Sequence, residues 1–284
     1  MRINHNISSM IGHGSLMSQQ ASLSKSLEKL STGLRINRAS DDAAGLSVSE
    51  SLRARVRGMT RASSNAQDGI ALVQIAEGAT GEINNILQRM RELAIQSSTD
   101  TMTTTERSYT DKEFGQLMSE ITRISSSASY NGMTLLDGGS TSFGVSGGLA
   151  SVLHIGAGSS ASVDRVSVTI NSMTLGALGL NSTTTSISGS VVALSALSLI
   201  DTAIKSVNTM RSDMGAYVNR LEFAISNLSN QIYNTQDAES RIRDVDFAKE
   251  TTEFTRAQIL TQSATSMLAQ ANQVPQGVLS LLGR

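Results

Sequence analysis

Residues 197–232 read LSLIDTAIKSVNTMRSDMGAYVNRLEFAISNLSNQI, and their apolar positions keep one period throughout. Leu197, Ile200, Ile204, Val207, Arg211, Met214, Val218, Leu221, Ile225, Leu228 and Ile232 alternate spacings of 3 and 4. That alternation lays a single stripe along a helix and suits it to side-by-side packing. A second stripe of the same kind lies upstream: Leu52, Met59, Ala66, Val73, Thr80, Leu87 and Ala94 recur every seven residues, flanked by Val56, Ile70, Ile83 and Met90. A helix from Ala44 to Ser98 would be about 80 Å long. The simplest partner for each stripe is the other, run antiparallel.

Between the two helices the chain changes character. From Gly138 to Ile200 the only Asp, Glu, Lys or Arg residues are Asp164 and Arg165. YNGMTLLDGG (130–139) has an Asn-Gly turn signal, and RVSVTI (165–170) alternates at strand period. One β-hairpin or two are expected here, with disorder the alternative for LNSTTTSISGS (180–190).

Composition agrees with a helical protein of aliphatic seams. Of 284 residues 3% are aromatic, Met numbers 12, and there is one Pro, no Trp and no Cys. Few rings leave long aliphatic contacts to supply buried area, and scarce proline permits long helices. A net charge of −1 does not call for nucleic acid or an anionic membrane as partner. No stretch is expected to reach a membrane span of about 20 apolar residues, and the N-terminus lacks the apolar core of a cleaved secretory signal.

Catalytic and cofactor signatures are not found. His5, His13 and His154 are scattered, and cysteine-based zinc sites are impossible. Asp41 and Asp42 precede an Ala-rich helix start, where an aspartate caps. GAGSSASVDR (156–165) lacks the lysine of a phosphate loop and reads as a turn. Arg53, Arg55, Arg57 and Arg61 read as a solvated or inter-subunit charge face, phosphate contact being the alternative. Gly58, Gly69, Gly78 and Gly81 each cost about 1 kcal/mol within a helix. They stand either for local flexibility or for close approach of a neighbouring helix.

The ends carry their own stripes. Ile7, Met10, Met17 and Ala21 mark one, and Leu23, Leu27, Leu30 and Leu34 another. A last helix from about Val245 to Asn272 has Phe247, Phe254, Leu260, Met267 and Leu268, and then a tail with Val278, Leu279, Leu281 and Leu282. Neither end has enough chain beyond it to cover its own stripe.

The segments LSTGLRIN (30–37), DDAAG (41–45), QRMRELA (88–94) and MLAQANQ (267–273), with the opening MRINHNISSM, resemble bacterial flagellin across both terminal thirds. The short middle resembles a minimal form of that family, without large outer domains. The resemblance implies a mainly α fold: a long antiparallel helical rod with a small β-hairpin region, plus a coiled coil of the N- and C-terminal helices. The zones are then 1–42 and 239–284 for the inner, filament-core domain, 43–130 and 191–238 for the rod, and 131–190 for a variable surface region. It implies a non-enzymatic subunit that self-assembles into the flagellar filament for motility and takes no cofactor. Filament-core packing would fall to Ile7, Met10, Leu23, Leu27, Leu30, Leu34, Leu260, Met267, Leu268, Val278, Leu279, Leu281 and Leu282. Implied partners are further flagellin subunits, the export chaperone at residues 254–282, cap and junction proteins, and the vertebrate Toll-like flagellin receptor at Arg89, Leu93 and Glu113. Implied too is export without cleavage to a filament outside the cell or in a periplasm, with Ser140–Ser190 open to O-glycosylation. The rival readings are a hook–filament junction protein and a coiled-coil adaptor that does not polymerise.

Overall fold

The computed structural model describes residues 6–139, 143, 151–181 and 185–282, with side chains to residue 273. Five helices are present among them: α1 (Ile7–Thr32), α2 (Ala43–Ser98), α3 (Thr104–Ser127), α4 (Ser190–Arg243) and α5 (Phe247–Leu282). The strands are β1 (Ser129–Tyr130), β2 (Met133–Thr134), β3 (Ser151–His154) and β4 (Arg165–Val168). They pair as two antiparallel hairpins, β1 with β2 and β3 with β4. The chain forms two compact units, Met1–Arg55 with Tyr233–Arg284, and Val56–Ile232, so the division falls inside α2 and α4.

In the second unit the upstream stripe is a core seam. Met59, Ala66, Val73, Thr80, Leu87 and Ala94 are all buried, as are Val56, Ile83 and Met90, while Ile70 is half-buried. Thr80 fits this apolar line because its hydroxyl donates to the Ala76 carbonyl at 2.6 Å, leaving no unpaired polar atom. Phe114, Met118 and Ile121 of α3 join the same cluster. A capping box starts α3: Thr103 Oγ1 accepts from Glu106 N–H, and Glu106 Oε2 accepts from Thr103 N–H.

The α4 stripe needs a correction in its first half. Ala196, Ala203 and Met210 are buried there, whereas Leu197, Ile204 and Arg211 are only half-buried. A seven-residue repeat drifts by about 20° per heptad on a straight α-helix, so the buried line moves over by one position along its length. Further down, Leu221 and Leu228 are buried, and Val218 and Ile225 flank them. The helices run antiparallel, as Arg91–Asp201 (2.7 Å) and Glu77–Arg211 (3.8 Å) show. An 18-residue window of α4 reaches a mean hydropathy of 1.5, more than the sequence reading allowed for. Ala193, Ala196, Ile200, Ala203 and Val207 of that helix lie in the core.

Both hairpin signals correspond to hairpins. Asn131 and Gly132 have φ of 49° and 80°, the left-handed pair that a two-residue turn between twisted strands requires. The longer hairpin turns its Val166, Val168 and Ile170 into the core, and Asp164 accepts from Ser160 N–H to close its loop. The segment read as open to disorder is packed at its described positions: Leu180, Thr185 and Ile187 are buried.

The helix glycines divide in two. A Cβ on Gly58 would stand 3.3 Å from Ala157 in the β3–β4 loop, and one on Gly69 2.5 Å from Leu153 of β3. Close approach is therefore real at these two sites, but the hairpin makes it, with Leu221 of α4 also near Gly69. Gly78 and Gly81 have nothing within 4 Å. Asn65 Nδ2 donates to the His154 carbonyl at 3.1 Å and pins the hairpin between the two close glycines.

Leu87→Ala should cost about 2–5 kcal/mol in chemical denaturation. Ile75→Ala, at a side chain 43% exposed on the same helix, should change stability by no more than about 0.5 kcal/mol.

Candidate assembly surface

α1 and α5 lie side by side and antiparallel in the first unit. Asn6 Nδ2 donates to the Ala271 carbonyl at 2.8 Å, Gly12 meets Leu268, and Lys29 pairs with Glu250 at 3.5 Å. The seam on α1 runs through Ser9, Gly12, Leu16, Gln19, Leu23, Ser26 and Leu30, and on α5 through Glu250, Phe254, Ala257, Thr261, Ala264, Leu268 and Ala271; Glu28, Lys29 and Glu253, also half-buried, flank it. Both sets follow the 3–4 alternation of a coiled coil. Most of these residues are small or polar. Leu16, Leu23, Leu30, Phe254 and Leu268 supply the seam's large apolar contacts, each only half-buried.

A second set of large apolar side chains points elsewhere. Ile7, Met10, Ile11, Met17 and Leu27 of α1 are 55–67% exposed, and Phe247, Ile259, Leu260 and Met267 of α5 are 42–69% exposed. Thr252, Thr255, Arg256, Ile259 and Leu260 line a shallow groove on α5. Among the residues expected to pack a filament core, Leu23, Leu30 and Leu268 belong to the intramolecular seam. Ile7, Met10, Leu27, Leu260 and Met267 are outward. The helix runs on past Asn272 through Pro275; the side chains of Val278, Leu279, Leu281 and Leu282 lie outside the described residues.

The pair is tied at its inner end by the connectors. Gly33, at φ 71°, ends α1 in a left-handed cap. Leu34 bridges Asp244, Arg35 N–H donates to the Arg243 carbonyl, and Val245 N–H donates to that of Gly33. Ile36 is buried beside them at 1% exposure. Arg243 pairs with Glu50, and Arg53 with Glu239. Spacing could not reveal this clasp, because its partners stand about two hundred residues apart.

The adjacent aspartates divide their work. Asp42 Oδ1 accepts from Gly45 N–H at 2.9 Å and caps α2. Asp41 Oδ1 meets Lys25 Nζ at 2.7 Å, and its Oδ2 accepts from the N–H groups of Arg38 and Asn37. The Lys25 ammonium, then the Arg38 amide, hold this carboxyl down from 3.8 to about 2.

On the second unit Arg89 is exposed and bonds Glu113 at 2.9 Å through one guanidinium nitrogen and Glu92 at 3.1 Å through another. Leu93, expected on the same surface, is only 1% exposed and belongs to the α2–α3–α4 core. It sits four residues from Arg89 but on the inner side of α2, where the apolar stripe must go. Of the basic run, Arg53 is paired, while Arg55, Arg57 and Arg61 are exposed.

Residues 3–141 match the family model of the bacterial flagellin N-terminal helical region, and residues 197–282 that of the C-terminal helical region. The chain belongs to the bacterial flagellin family. It is 46% identical over 288 residues to the flagellar filament 33 kDa core protein of Treponema phagedenis, covering 99% of this chain and 100% of that protein. To the flagellin of Halalkalibacterium halodurans it is 46% identical over 282 residues, with the same coverage. A solved structure described as a flagellar hook-associated protein of Vibrio parahaemolyticus aligns with TM-score 0.58 at 14% identity, covering 72% of this chain and 100% of that one. That likeness is one of fold alone. This flagellin is a structural subunit of the flagellar filament.

Because the folded-state carboxyl of Asp41 titrates below its unfolded value, its stabilisation should be complete above about pH 4 and vanish as pH falls through about 2. Melting curves of Asp41→Asn and the parent chain should differ at pH 6 and converge near pH 2.

Proposed function

We propose that the outward apolar faces of α1 and α5 are the surfaces through which flagellin copies join. The observation that carries this is the surplus of large apolar side chains on the pair: Leu16, Leu23, Leu30, Phe254 and Leu268 line the seam, while Ile7, Met10, Ile11, Met17, Leu27, Phe247, Ile259, Leu260 and Met267 stay exposed. Fully burying a Leu, Met, Ile or Phe side chain is worth about 1.5–3 kcal/mol. A neighbour covering the exposed half of each contributes correspondingly less per contact, but does so at many contacts. Ordering each backbone residue costs roughly 1–2 kcal/mol, and a seam with Gly12, Ser26 and Ala264 offsets little of that alone. Growth is then favoured at a preformed end, where several neighbours bury one pair together.

Export to a filament outside the cell or in a periplasm is part of the same reading. A chain whose ends order only on joining is suited to threading. A chaperone at residues 254–282, and cap and junction proteins at the filament ends, would each cover the α5 face before or beside subunits.

A second, separate surface is the Arg89–Glu113 patch, proposed as the contact for the Toll-like flagellin receptor. It is exposed, and Arg89 donates to one oxygen of Glu113, Oε1, from both Nε and Nη2. Leu93 supports it from beneath.

Leu27→Asp with Leu260→Asp should leave the thermal transition of the second unit in place while abolishing elongation on filament seeds, followed by electron microscopy. Undiminished growth would reject the assembly surface. For the receptor patch, Arg89→Ala should lower reporter signalling at unchanged melting temperature; an unchanged signal would remove it.

A further inference from the structure

With no Cys and no Trp in the chain, the thioether sulfurs of its 12 methionines are the atoms that a mild oxidant reaches first. Their placement divides in two. Met59, Met90, Met118, Met173, Met210 and Met214 lie in the second unit, each 5% exposed or less. Met102 is half-buried, and Met133 on β2 is 37% exposed. Among the described residues the most open methionines are Met10, Met17 and Met267, at 67%, 62% and 69%. All three belong to the terminal helices α1 and α5. This division does not need those helices to have formed. An end that is still unordered exposes its sulfurs further, while the core sulfurs stay shielded by a unit that one chain completes.

Attack on a peroxide is a two-electron step. A sulfur lone pair takes one peroxide oxygen, the O–O bond breaks, and the other oxygen leaves as water after gaining a proton. Sulfur is oxidised and the peroxide reduced. A flexible apolar side chain becomes a polar, chiral sulfoxide. On a free chain water solvates the new oxygen. In a joining face the same oxygen is an acceptor buried without a donor, which is unfavourable. For burial alone leucine would serve as well, so the thioether adds a chemical sensitivity that the apolar face itself does not require.

We propose, on the basis of the joining faces assigned above, that Met10, Met17 and Met267 are sites of reversible sulfoxidation by hydrogen peroxide, and that the sulfoxide form of the unassembled chain is barred from the filament. The purified, unassembled chain treated with peroxide should carry oxygen at these three positions by peptide mass mapping. The core methionines should stay reduced, and the thermal transition of the second unit should not move. Elongation on filament seeds should slow by about tenfold or more. The two methionine sulfoxide reductases, one for each epimer, should restore growth when supplied with a dithiol; the sulfoxide oxygen leaves as water while the dithiol closes to a disulfide. Met10→Leu with Met17→Leu and Met267→Leu should elongate as the parent does and keep its rate after peroxide. Oxidation spread evenly over the core methionines, unslowed growth of the sulfoxide form, growth not restored by the reductases, or equal inhibition of the triple variant by peroxide would each overturn the sites. Leu27→Asp with Leu260→Asp separates the two readings. Growth stopped by that variant but not by sulfoxidation removes the methionine sites alone, and growth stopped by neither removes the joining faces as well.

Discussion

The pairing of α1 with α5 is the contact on which the rest of the first unit depends, and its character follows from the size of the residues in it. Gly12, Ser26, Ala257 and Ala264 let two helices lie close, as small residues do. Closeness, however, is not burial. The area that would make the pair self-sufficient is carried by Met10, Met17, Ile259, Leu260 and their neighbours, all on other faces. A helix pair arranged in this way is specific in register but weak in isolation, and its free energy is completed by whatever covers the outer faces.

The second unit is the opposite case. Its seam consists of Ala66, Val73, Leu87, Met90, Met210 and Met214, with Phe114 and the hairpin closing over it. Apolar area there is spent within one chain. The β3–β4 hairpin, seated over Gly58 and Gly69 and held by Asn65, finishes a core that two helices alone would leave open. One chain thus couples a unit that is complete to one that is not, which is the arrangement a polymerising subunit needs.

Between the pair and the long helices, order is kept by polar contacts of the connectors. Asp41 gathers Lys25 and two backbone amides, Arg243 reaches Glu50, and Ile36 plugs the space beside them. Surface ion pairs contribute little individually. Their use here is geometric, since each joins chain segments that the helices themselves do not bring together.

The local pattern of residues was enough to determine the helices, the heptad seam of α2, the Asn131–Gly132 turn, the strand carrying Val166 and Val168, and the capping role of Asp42. Each depends on neighbours within one or two turns, so periodicity and turn chemistry report it directly. Other matters were decided only in three dimensions. The shift of the α4 seam from Leu197 and Ile204 to Ala196 and Ala203 comes from helical drift against a partner, which no single stripe records. Leu93 and Arg89 are close in sequence yet lie on opposite sides of the core boundary. Which terminal stripe faces α5 was likewise open, because small residues win a close seam and large ones win area, and only packing reveals which demand is met inside the molecule. Here Leu16, Leu23, Leu30, Phe254 and Leu268 share the inside with small residues, and Ile7, Met10, Met17, Ile259 and Met267 stay exposed.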